Sequence, residues 1–386
     1  MRCFVNADAE VPFLSELPSQ EIPSLEVRPL EESSLREEYC KPLRTGGPLV
    51  RAVLLQGSPA SKFVFCGDHI AGDGVNLLAI YRNLLLEYDR LLKASRRSII
   101  DSSPSVFDNA PDSWDPERGL WDKIAEGQFS AYQTKRIEEA TRQALSLPYQ
   151  HNGKKPPEPG VCEGERVDVA RISFPDSDSQ ALRLLARERN TSLHGLVCAA
   201  VIFAIRKLLG KQDSNTMACT SPINLRPFLG IGNDVIHPCV STHFYRAEVS
   251  PESDPFDFAK SIRASLVRTS ESDEKFYELL LLLRAHELPF HKLTQIFATS
   301  AYVSNLGAWE MPRDIGGLKV ENLRFMPFRE SYHLKNGTGP VMATVASLNG
   351  ELSIELPHCV DGFSTSFMTV LAAEISKFLT GFIRER

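Results

Sequence analysis

The chain has 386 residues, of which 42% are hydrophobic and 24% charged, and its formal net charge is −6 at pH 7. These values describe an ordinary soluble globular protein, long enough to bury a large core in one to three domains. The negative charge argues against a nucleic-acid-binding surface, since no part of the sequence is enriched in Lys and Arg.

The eight cysteines are scattered and never occur as Cys-x-x-Cys, which excludes the usual zinc and thioredoxin spacings. Several lie in apolar contexts typical of core cysteines, and we infer a reducing, cytoplasmic compartment. The N-terminus has no long apolar stretch, so no signal peptide is predicted. The longest apolar runs, near Leu279–Leu283 and Leu196–Ile205, are too short or too rich in small residues to span a bilayer.

The first half of the chain predicts three strands and two helices. Apolar runs between turn residues predict strands over Pro23–Leu30, Pro48–Leu55 and Lys62–Phe65, with a helix near Ser34–Tyr39. Over Val75–Leu91, apolar residues recur at helical spacing. A glycine-rich turn therefore separates the third strand from a long helix.

Polar segments then divide the chain in two. Ser98–Glu117 is rich in Ser, Asp and Pro and predicts a surface connection, and Tyr149–Glu165 is polar and broken by Pro and Gly, as in a linker. We therefore expect an N-terminal subdomain over residues 1–150, a linker over 151–165 and a C-terminal subdomain over 166–386.

The second half alternates between strands and helices. Strands are predicted over Val167–Phe174, Met217–Pro222, Cys239–Val249, Ile296–Ser304, Leu318–Phe325, Met342–Leu348 and Glu351–Leu356. Helices are predicted over Pro175–Arg189, Ser192–Leu209, Asp254–Ser270, Asp273–Arg284 and Ser364–Ile383. Two halves that each mix strands and helices indicate an α/β protein of two subdomains, with mixed sheets flanked by helices.

The turn after the third strand carries the most informative residues. His69 follows an apolar strand, and Asp73 and Gly74 come after three further residues, at the start of the predicted helix. The strand fixes the backbone there, and the small residues of the turn let a substrate come close. A neutral imidazole in this place can take a proton from a hydroxyl or an amine.

Asp73 has two interpretations. Four residues after His69, it points away from the same imidazole, so a buried carboxylate there needs its own cationic partner. Alternatively, this frequent His-x-x-x-Asp pattern is a core histidine in a tight turn, with Asp73 capping the helix. The strand-turn-helix context and the trailing Gly74 favour the functional interpretation.

Phe63–Val75 resembles the His-His-x-x-x-Asp-Gly signature of the condensation-domain and acyl-CoA-dependent acyltransferase superfamily, which has the chloramphenicol-acetyltransferase-like fold. The superfamily includes nonribosomal peptide condensation domains, mycobacterial polyketide-associated acyltransferases, alcohol acetyltransferases and, more distantly, plant BAHD acyltransferases. Asp68 stands in place of the first histidine. Many acyltransferase branches keep only the second histidine, so this departure favours them over peptide condensation.

Four further segments resemble the superfamily in the right order. They are a strand at Pro48–Leu55, a small-residue helix at Thr191–Ala204, an Asn-Leu-Arg-Pro element in Pro222–Pro227 and a Ser-Asn-x-Gly strand end in Val303–Gly307. Each is weak alone, but together with the motif they cover most of the chain.

The resemblance implies roles for residues outside the motif. Arg226 would pair with Asp73 and so fix the turn that carries His69; the alternative is a surface arginine at a strand end. Asn305 or Ser304 would line the active-site tunnel and contact the acyl carbonyl. The alternative there is a strand-terminating Asn-x-Gly turn.

The resemblance also implies a mechanism. The two subdomains would enclose a tunnel with His69 at its midpoint, and His69 would deprotonate the acceptor for attack on a thioester. Asp73 and Gly74 would complete the catalytic turn, and no acyl-enzyme is required because a thioester is already activated. The oxyanion would be bound by backbone N–H groups near Gly72–Gly74 or by the Ser304–Asn305 strand.

We therefore expect an acyltransferase that acts on a hydroxyl or amine of a small molecule, with acyl-CoA as co-substrate and no permanently bound cofactor or metal. An acyl carrier protein thioester is the alternative donor, and a non-catalytic binding module on the same fold is the alternative class. We expect a monomer without a nucleic-acid partner or a membrane span.

A second histidine pattern lies near the C-terminus. His358 and Asp361 precede a glycine, but only two residues separate them, and we interpret Asp361 as a turn or cap residue. The sequence contains no His-Glu-x-x-His metal motif, nucleophile elbow or phosphate-binding glycine loop. The superfamily places a strand and a helix before the segment similar to Met1–Val5, so one edge of the first sheet is expected to be exposed.

Overall fold

The computed structural model of the protein covers most of both predicted halves. Its described residues are 3–6, 13–16, 24–43, 47–69, 71–97, 167–209, 215–233, 236, 238–276, 299–312, 314–327, 340–360 and 362–385. The predicted connection Ser98–Glu117, the predicted linker Tyr149–Glu165 and the final residues of the helix predicted over Asp273–Arg284 lie outside them.

The described residues belong to two compact units. The first lies within Met1–Trp114, Arg226–Cys239 and Pro312–Glu321, and the second within Asp115–Leu225, Val240–Met311 and Asn322–Arg386. The sequence predicted a single boundary, at a linker over residues 151–165. The units differ from that prediction because two segments of the second half group with the first unit.

An N-terminal hairpin belongs to the first unit. Its strands, β1 (Cys3–Asn6) and β2 (Phe13–Glu16), pair antiparallel, with Phe4 opposite Ser15. β1 therefore has a partner strand in β2.

A three-stranded sheet follows the hairpin. Its strands are β3 (Leu25–Pro29), β4 (Val50–Gln56) and β5 (Lys62–Gly67). Helix α1 (Ser34–Cys40) lies in the crossover between β3 and β4. β3 and β4 are parallel, which requires a crossover connection, and β4 and β5 are antiparallel. Within the described residues β3 is an edge strand, and its Leu25 and Val27 side chains are 52% and 51% exposed.

The long helix α2 (Gly74–Arg97) begins directly after the motif turn. The carboxylate of Asp73 caps its first turn by accepting from two backbone N–H groups. At the end of β5, a Cβ atom on Gly67 would come 2.8 Å from a methyl carbon of Leu77, so the glycine lets β5 and α2 pack closely. The turn that carries His69 is thus held between a strand and a capped helix.

The second half of the chain supplies the remaining strands. They are β6 (Val167–Phe174), β7 (Thr216–Asn224), β8 (Val240–Glu248), β9 (Ala301–Trp309), β10 (Asp314–Ile315), β11 (Leu318–Lys319), β12 (Val341–Leu348) and β13 (Glu351–Cys359). β10 and β11 form a short hairpin in the first unit. The other six form the mixed sheet of the second unit, in the order β6-β13-β12-β9-β7-β8. Its β12–β9 and β9–β7 pairs are parallel and its other pairs antiparallel.

Helices bury one face of this mixed sheet. They are α3 (Asp176–Glu188), α4 (Leu193–Leu209), α6 (Pro255–Glu271) and α7 (Thr365–Arg384), while α5 (Arg226–Leu229) is a single turn in the first unit. Alternate residues of the strands, such as Val345 and Ile354, join these four helices in one apolar cluster. The period of two along each strand explains why only one set of side chains enters it.

Helix α4 is buried along most of its length in the second unit, since residues Gly195 to Ile205 are all buried. A Cβ atom on Gly195 would lie 2.6 Å from Thr191 Oγ1 and 2.7 Å from the carbonyl oxygen of Ala259 in α6. Only glycine allows this approach of the two helices. The small-residue helix indicated by the sequence is therefore a packing element of the core.

Two strand predictions in the second half were inaccurate. The strand expected over Ile296–Ser304 is β9, which runs from Ala301 to Trp309. The strand expected over Leu318–Phe325 is reduced to β11, which pairs with the two residues of β10. Gly316 and Gly317, with positive φ angles of 62° and 87°, form the turn between them.

Among the described residues, α7 alone is long and apolar enough by composition to cross a membrane, and α3 with α4 would meet the same criterion only as one span broken by a 98° bend. Met368, Leu371, Ile375 and Leu379 of α7 are instead buried in the apolar cluster of the second unit. This is the packing of a core helix in a globular unit.

Candidate active site

His69 lies in the turn between β5 and α2. Backbone hydrogen bonds hold this turn: Asp68 N–H donates to the Leu49 carbonyl at 2.8 Å, and Ala71 N–H donates to the Asp68 carbonyl at 3.0 Å. The side chains of Asp68 and His69 are both exposed. The imidazole therefore projects from a backbone that is fixed by its own hydrogen bonds, as expected of a base that must meet a substrate.

The carboxylate of Asp73 is only 5% exposed and accepts four hydrogen bonds. Oδ1 accepts from the N–H groups of Val75 (3.1 Å) and Asn76 (3.2 Å), at the start of α2. Oδ2 accepts from Arg226 Nη1 (2.7 Å) and from the N–H of Cys239 (2.9 Å). All four donors are groups other than the His69 imidazole, so Asp73 holds the turn together rather than orienting the ring.

Arg226 is the cationic partner of Asp73. Its guanidinium group is 1% exposed and forms an ion pair with Asp73 at 2.7 Å. Arg226 is the first residue of α5, directly after β7, and its carbonyl accepts from Ile231 N–H at 3.0 Å. The structure thus brings together two residues that are far apart in sequence, in the geometry implied by the resemblance, and a charge pair buried this deeply strongly constrains the surrounding backbone.

Asn76 is part of the same cluster, although the sequence analysis did not select it. Its side chain is 1% exposed, and its Oδ1 accepts from Arg226 Nη2 at 2.7 Å. The same oxygen lies 3.4 Å from the N–H of Asp73, and Nδ2 donates to the Asn233 carbonyl at 3.3 Å. A signal was available, because Asp73 and Asn76 have the three-residue spacing of a reciprocal helix cap.

Gly72 of the motif turn is required by a close contact. A Cβ atom on Gly72 would come 3.0 Å from Asn76 Oδ1, so a larger residue would displace that amide. Gly72, Asp73 and Gly74 are all buried. The cap of Asp73 uses the N–H groups of Val75 and Asn76, and Gly74 supplies the first-turn N–H that this cap does not use.

Ser304 and Asn305 lie on β9 in the second unit. Ser304 is 9% exposed and pairs in register with Thr344 of β12. Asn305 Oδ1 accepts from the N–H of Gly307 at 2.8 Å, and Gly307 has a φ of +81°. This oxygen is therefore committed to a local turn, and the amide nitrogen is the group of Asn305 that can act as a donor.

The second histidine pattern has the environment of a structural residue. His358 is 1% exposed at the end of β13, and its Nδ1 lies 3.0 Å from the carbonyl oxygen of Leu356. Burial lowers its pKa, which favours the neutral ring. Asp361 lies outside the described residues.

Two further histidines belong to the interior of the second unit. His194 Nε2 lies 2.8 Å from Ser221 Oγ, and His243 Nε2 lies 3.0 Å from Ser265 Oγ. Burial lowers the pKa of both imidazoles to about 4, helped by the charge of His243 near His194 and of Arg268 near His243. Both rings are therefore neutral at pH 7. The described residues contain no group of three His, Cys, Asp or Glu side chains that could hold a metal ion.

Comparisons with known proteins bear on the family and the fold of the chain. A family model described as the C-terminus of phthiocerol/phthiodiolone dimycocerosyl transferase matches residues 163–357, just over half of the chain. No curated protein sequence matches the chain significantly.

Solved structures share the fold over nearly the whole chain. Trichothecene 15-O-acetyltransferase TRI3 from Fusarium sporotrichioides has a TM-score of 0.67 at 16% identity, covering 99% of this chain and 82% of that one. Polyketide synthase associated protein 5 from Mycobacterium tuberculosis has a TM-score of 0.61 at 14% identity, covering 99% of this chain and 87% of that one. The epimerization domain from the third module of tyrocidine synthetase B has a TM-score of 0.65 at 13% identity, covering 100% of this chain and 85% of that one.

The fold and the motif turn define the class of protein: a two-subdomain α/β chain of the chloramphenicol-acetyltransferase-like fold, which acyltransferases share with condensation domains. Because the family model covers more than half of the sequence, the chain belongs to the family of the phthiocerol/phthiodiolone dimycocerosyl transferase C-terminus. The superfamily indicated by the motif is therefore confirmed, and the protein is a transferase of the acyltransferase or condensation type.

Proposed function

We propose that the protein transfers an acyl group from a thioester to a hydroxyl or amine of a small molecule, with His69 as general base. The observation that carries the proposal is the buried ion pair of Asp73 and Arg226, 2.7 Å long, beside an exposed His69. A purely structural turn does not need a desolvated charge pair, because such a pair adds little net stability. The buried pair does, however, fix one geometry for the neighbouring His69.

In the proposed reaction, a nitrogen of the neutral His69 ring takes the proton of the acceptor as its oxygen or nitrogen attacks the thioester carbonyl. The tetrahedral intermediate collapses by breaking the C–S bond, and the imidazolium returns the proton to the leaving thiolate. No acyl-enzyme is needed, since the thioester is already activated. Asp73 acts through the backbone, because its four hydrogen bonds hold the turn and the start of α2.

The developing oxyanion requires hydrogen-bond donors that are already in place. The N–H of Gly74 at the positive end of α2 is the first candidate, because the Asp73 cap uses the next two N–H groups. The amide nitrogen of Asn305 and the hydroxyl of Ser304 are the alternatives. Losing one such donor typically lowers kcat by about 100-fold to 1,000-fold.

Acyl-CoA is the proposed donor, used as a co-substrate without a permanently bound cofactor, by a monomeric enzyme of the cytoplasm. The similarity to an acetyltransferase supports this choice, as does Asp68 at the place of the first motif histidine. A carrier-protein thioester is the second candidate, because several similar structures are parts of peptide or polyketide synthases.

The experiment is a transfer assay with the purified chain. Acetyl-CoA, longer acyl-CoA thioesters and acyl-pantetheine thioesters are each offered with a panel of alcohols and amines, and acylated products are detected by mass spectrometry. Product detection is preferred to a thiol reagent because Cys40 is an exposed cysteine. Turnover that depends on His69 supports the proposal. Failure to acylate any acceptor from any donor, or unchanged turnover in His69→Ala, would refute it.

A further inference from the structure

We infer that Asn76, which lies outside the His-x-x-x-Asp-Gly motif, is a positioning residue for His69 and acts by holding Arg226 and the segment 226–239 against the motif turn. The inference rests on the proposed function for its kinetic test. Its structural basis is independent of that function, because every contact involved lies within the first unit.

The first step is that the Arg226 guanidinium is shared between two acceptors. Nη1 donates to Asp73 at 2.7 Å and Nη2 donates to Asn76 Oδ1 at 2.7 Å. Donation from both ends of the fork fixes the orientation of a planar guanidinium more closely than the ion pair with Asp73 does by itself. Asn76 therefore determines how Arg226 presents itself to Asp73.

The second step is that the Asn76 amide is used on both of its sides. While Oδ1 accepts from Arg226, Nδ2 donates to the carbonyl of Asn233 at 3.3 Å. An amide is the group that can accept and donate at once, whereas a carboxylate would only accept. Asn76 and Arg226 are each 1% exposed, so little water can replace the Asn76 oxygen as an acceptor for the Arg226 guanidinium.

The third step concerns the segment 226–239, which runs between strands β7 and β8. Three hydrogen bonds attach this segment to Asp73 and the first turn of α2. At its start Arg226 donates to Asp73, and further along the Asn233 carbonyl accepts from Asn76. At its end the N–H of Cys239 donates to Asp73. Asn76 contacts two of these three residues of the segment, Arg226 and Asn233. Loss of Asn76 would leave the ion pair of Arg226 with Asp73 in place. It would remove the second bond that orients the Arg226 guanidinium and the bond that holds Asn233.

The position of His69 depends on this arrangement through the turn. The buried turn residue Gly72 is so close to Asn76 that an added Cβ would come 3.0 Å from Oδ1. A shift of the amide therefore changes the backbone that carries the base. A displacement of about 1 Å at a catalytic group can cost about 100-fold in rate.

The experiment compares Asn76→Ala with a matched control, Ser34→Ala. Ser34 is also buried in the first unit, at 6% exposure, and makes two hydrogen bonds through its hydroxyl, with Glu31 N–H and the Pro29 carbonyl, away from the motif. We expect Asn76→Ala to lower kcat by about 10-fold to 100-fold with KM changed less than about 3-fold. Ser34→Ala should lower the melting temperature and leave kcat unchanged. If Asn76→Ala is insoluble, Asn76→Ser takes its place, because a hydroxyl is too short to reach both partners.

A double-variant comparison tests whether Asn76 acts through Arg226. A lysine in place of Arg226 has one ammonium group and cannot bridge Asp73 and Asn76. In the Arg226→Lys background, the Asn76→Ala change should therefore lower kcat by less than about 3-fold more. Full additivity of the two losses, or an Asn76→Ala enzyme that melts earlier but keeps its kcat, would overturn the inference.

A readout without turnover keeps this test separate from that of the proposed function. The ring resonances of His69, assigned by their loss in His69→Gln, report the surroundings of the imidazole by NMR. They should move or broaden in Asn76→Ala and stay in place in Ser34→Ala. If the wild-type chain transfers no acyl group, the proposed function fails, and the His69 resonances alone decide the inference: unmoved resonances would overturn it.

Discussion

Removing the carboxylate of Asp73 is expected to destabilise the first unit severely. Asp73→Ala leaves the Arg226 guanidinium in a site where it is 1% exposed, without its 2.7 Å partner. An uncompensated buried charge typically costs about 3 to 5 kcal/mol. The lost helix cap on Val75 and Asn76 adds about 1 kcal/mol. The total of about 4 to 6 kcal/mol is a large part of the 5 to 15 kcal/mol that stabilises a typical domain.

The control for this prediction is Asp254→Ala. Asp254 also caps a helix, accepting from the N–H of Phe256 at 2.8 Å, but it is exposed and serves only as a cap. Its removal should cost about 1 kcal/mol. The difference in the free energy of unfolding between the two variants therefore measures the cost of removing the carboxylate partner of Arg226, separately from the loss of a helix cap.

The assay is urea denaturation combined with hydrogen exchange, so that each unit is followed separately. Peptides from α2 report Asp73→Ala, and peptides from α6 report Asp254→Ala. A second variant, Asp73→Ala with Arg226→Met, should regain part of the lost stability, because it removes the unpaired charge. If Asp73→Ala costs no more than Asp254→Ala, or if the double variant is less stable than Asp73→Ala alone, the reasoning about the buried pair is wrong.

Three further predictions concern the base, the core and the response to pH. His69→Ala should reduce kcat by about 100-fold or more, as expected for a lost general base, and because His69 is exposed the melting temperature should not change; a large loss of stability would contradict its placement. Gly195→Ala should lower the urea midpoint by a destabilisation of about 1 to 3 kcal/mol, since the added Cβ would lie 2.7 Å from the Ala259 carbonyl oxygen; an unchanged midpoint would show that the helices can separate without cost. The pKa of both His194 and His243 is about 4 in the folded state, below the ordinary value of about 6.5. As the pH falls, these histidines therefore bind protons in the unfolded state before they do so in the folded state. The free energy of unfolding should thus decrease as the pH drops from about 6.5 towards 4. At pH 5 the loss from His243 is about 2 kcal/mol, and His243→Gln should flatten the pH dependence of the urea midpoint between pH 7 and 5; an equally steep dependence in that variant would contradict it.

Most secondary structure could be predicted from the sequence because its local signals agree. β6 has the predicted ends, Val167 and Phe174, and α4 and α7 each start within one residue of the predicted position. The failures occur where a turn overrides an apolar run. Leu318–Phe325 has the composition of a strand, but the positive φ angles of Gly316 and Gly317 commit the chain to a short hairpin.

The candidate site was predictable to the extent that it lies in the motif or is implied by the resemblance. The contact of Arg226 with Asp73 spans 153 positions, and no periodicity or turn rule connects them. Asn76 was missed because an asparagine in the first turn of a helix is commonly an ordinary cap residue, and its second partner, Asn233, is 157 positions away. The grouping of residues 226–239 with the first unit was missed for the same reason, because contacts such as that of Asn233 with Asn76 join residues far apart in sequence.

The placement of charge around the motif follows from conflicting demands on His69. A general base must be exposed to its substrate, so it cannot be fixed by burial, and a strong bond to the ring nitrogen that takes the proton would compete with proton transfer. Here the rigidity is supplied next to the base, by a carboxylate with four hydrogen bonds and a guanidinium with two acceptors, both buried. A buried pair of this kind contributes little to stability relative to apolar packing, but it tolerates few alternative geometries. The same cluster therefore explains why the turn is costly to mutate and why His69 itself should be replaceable without loss of the fold.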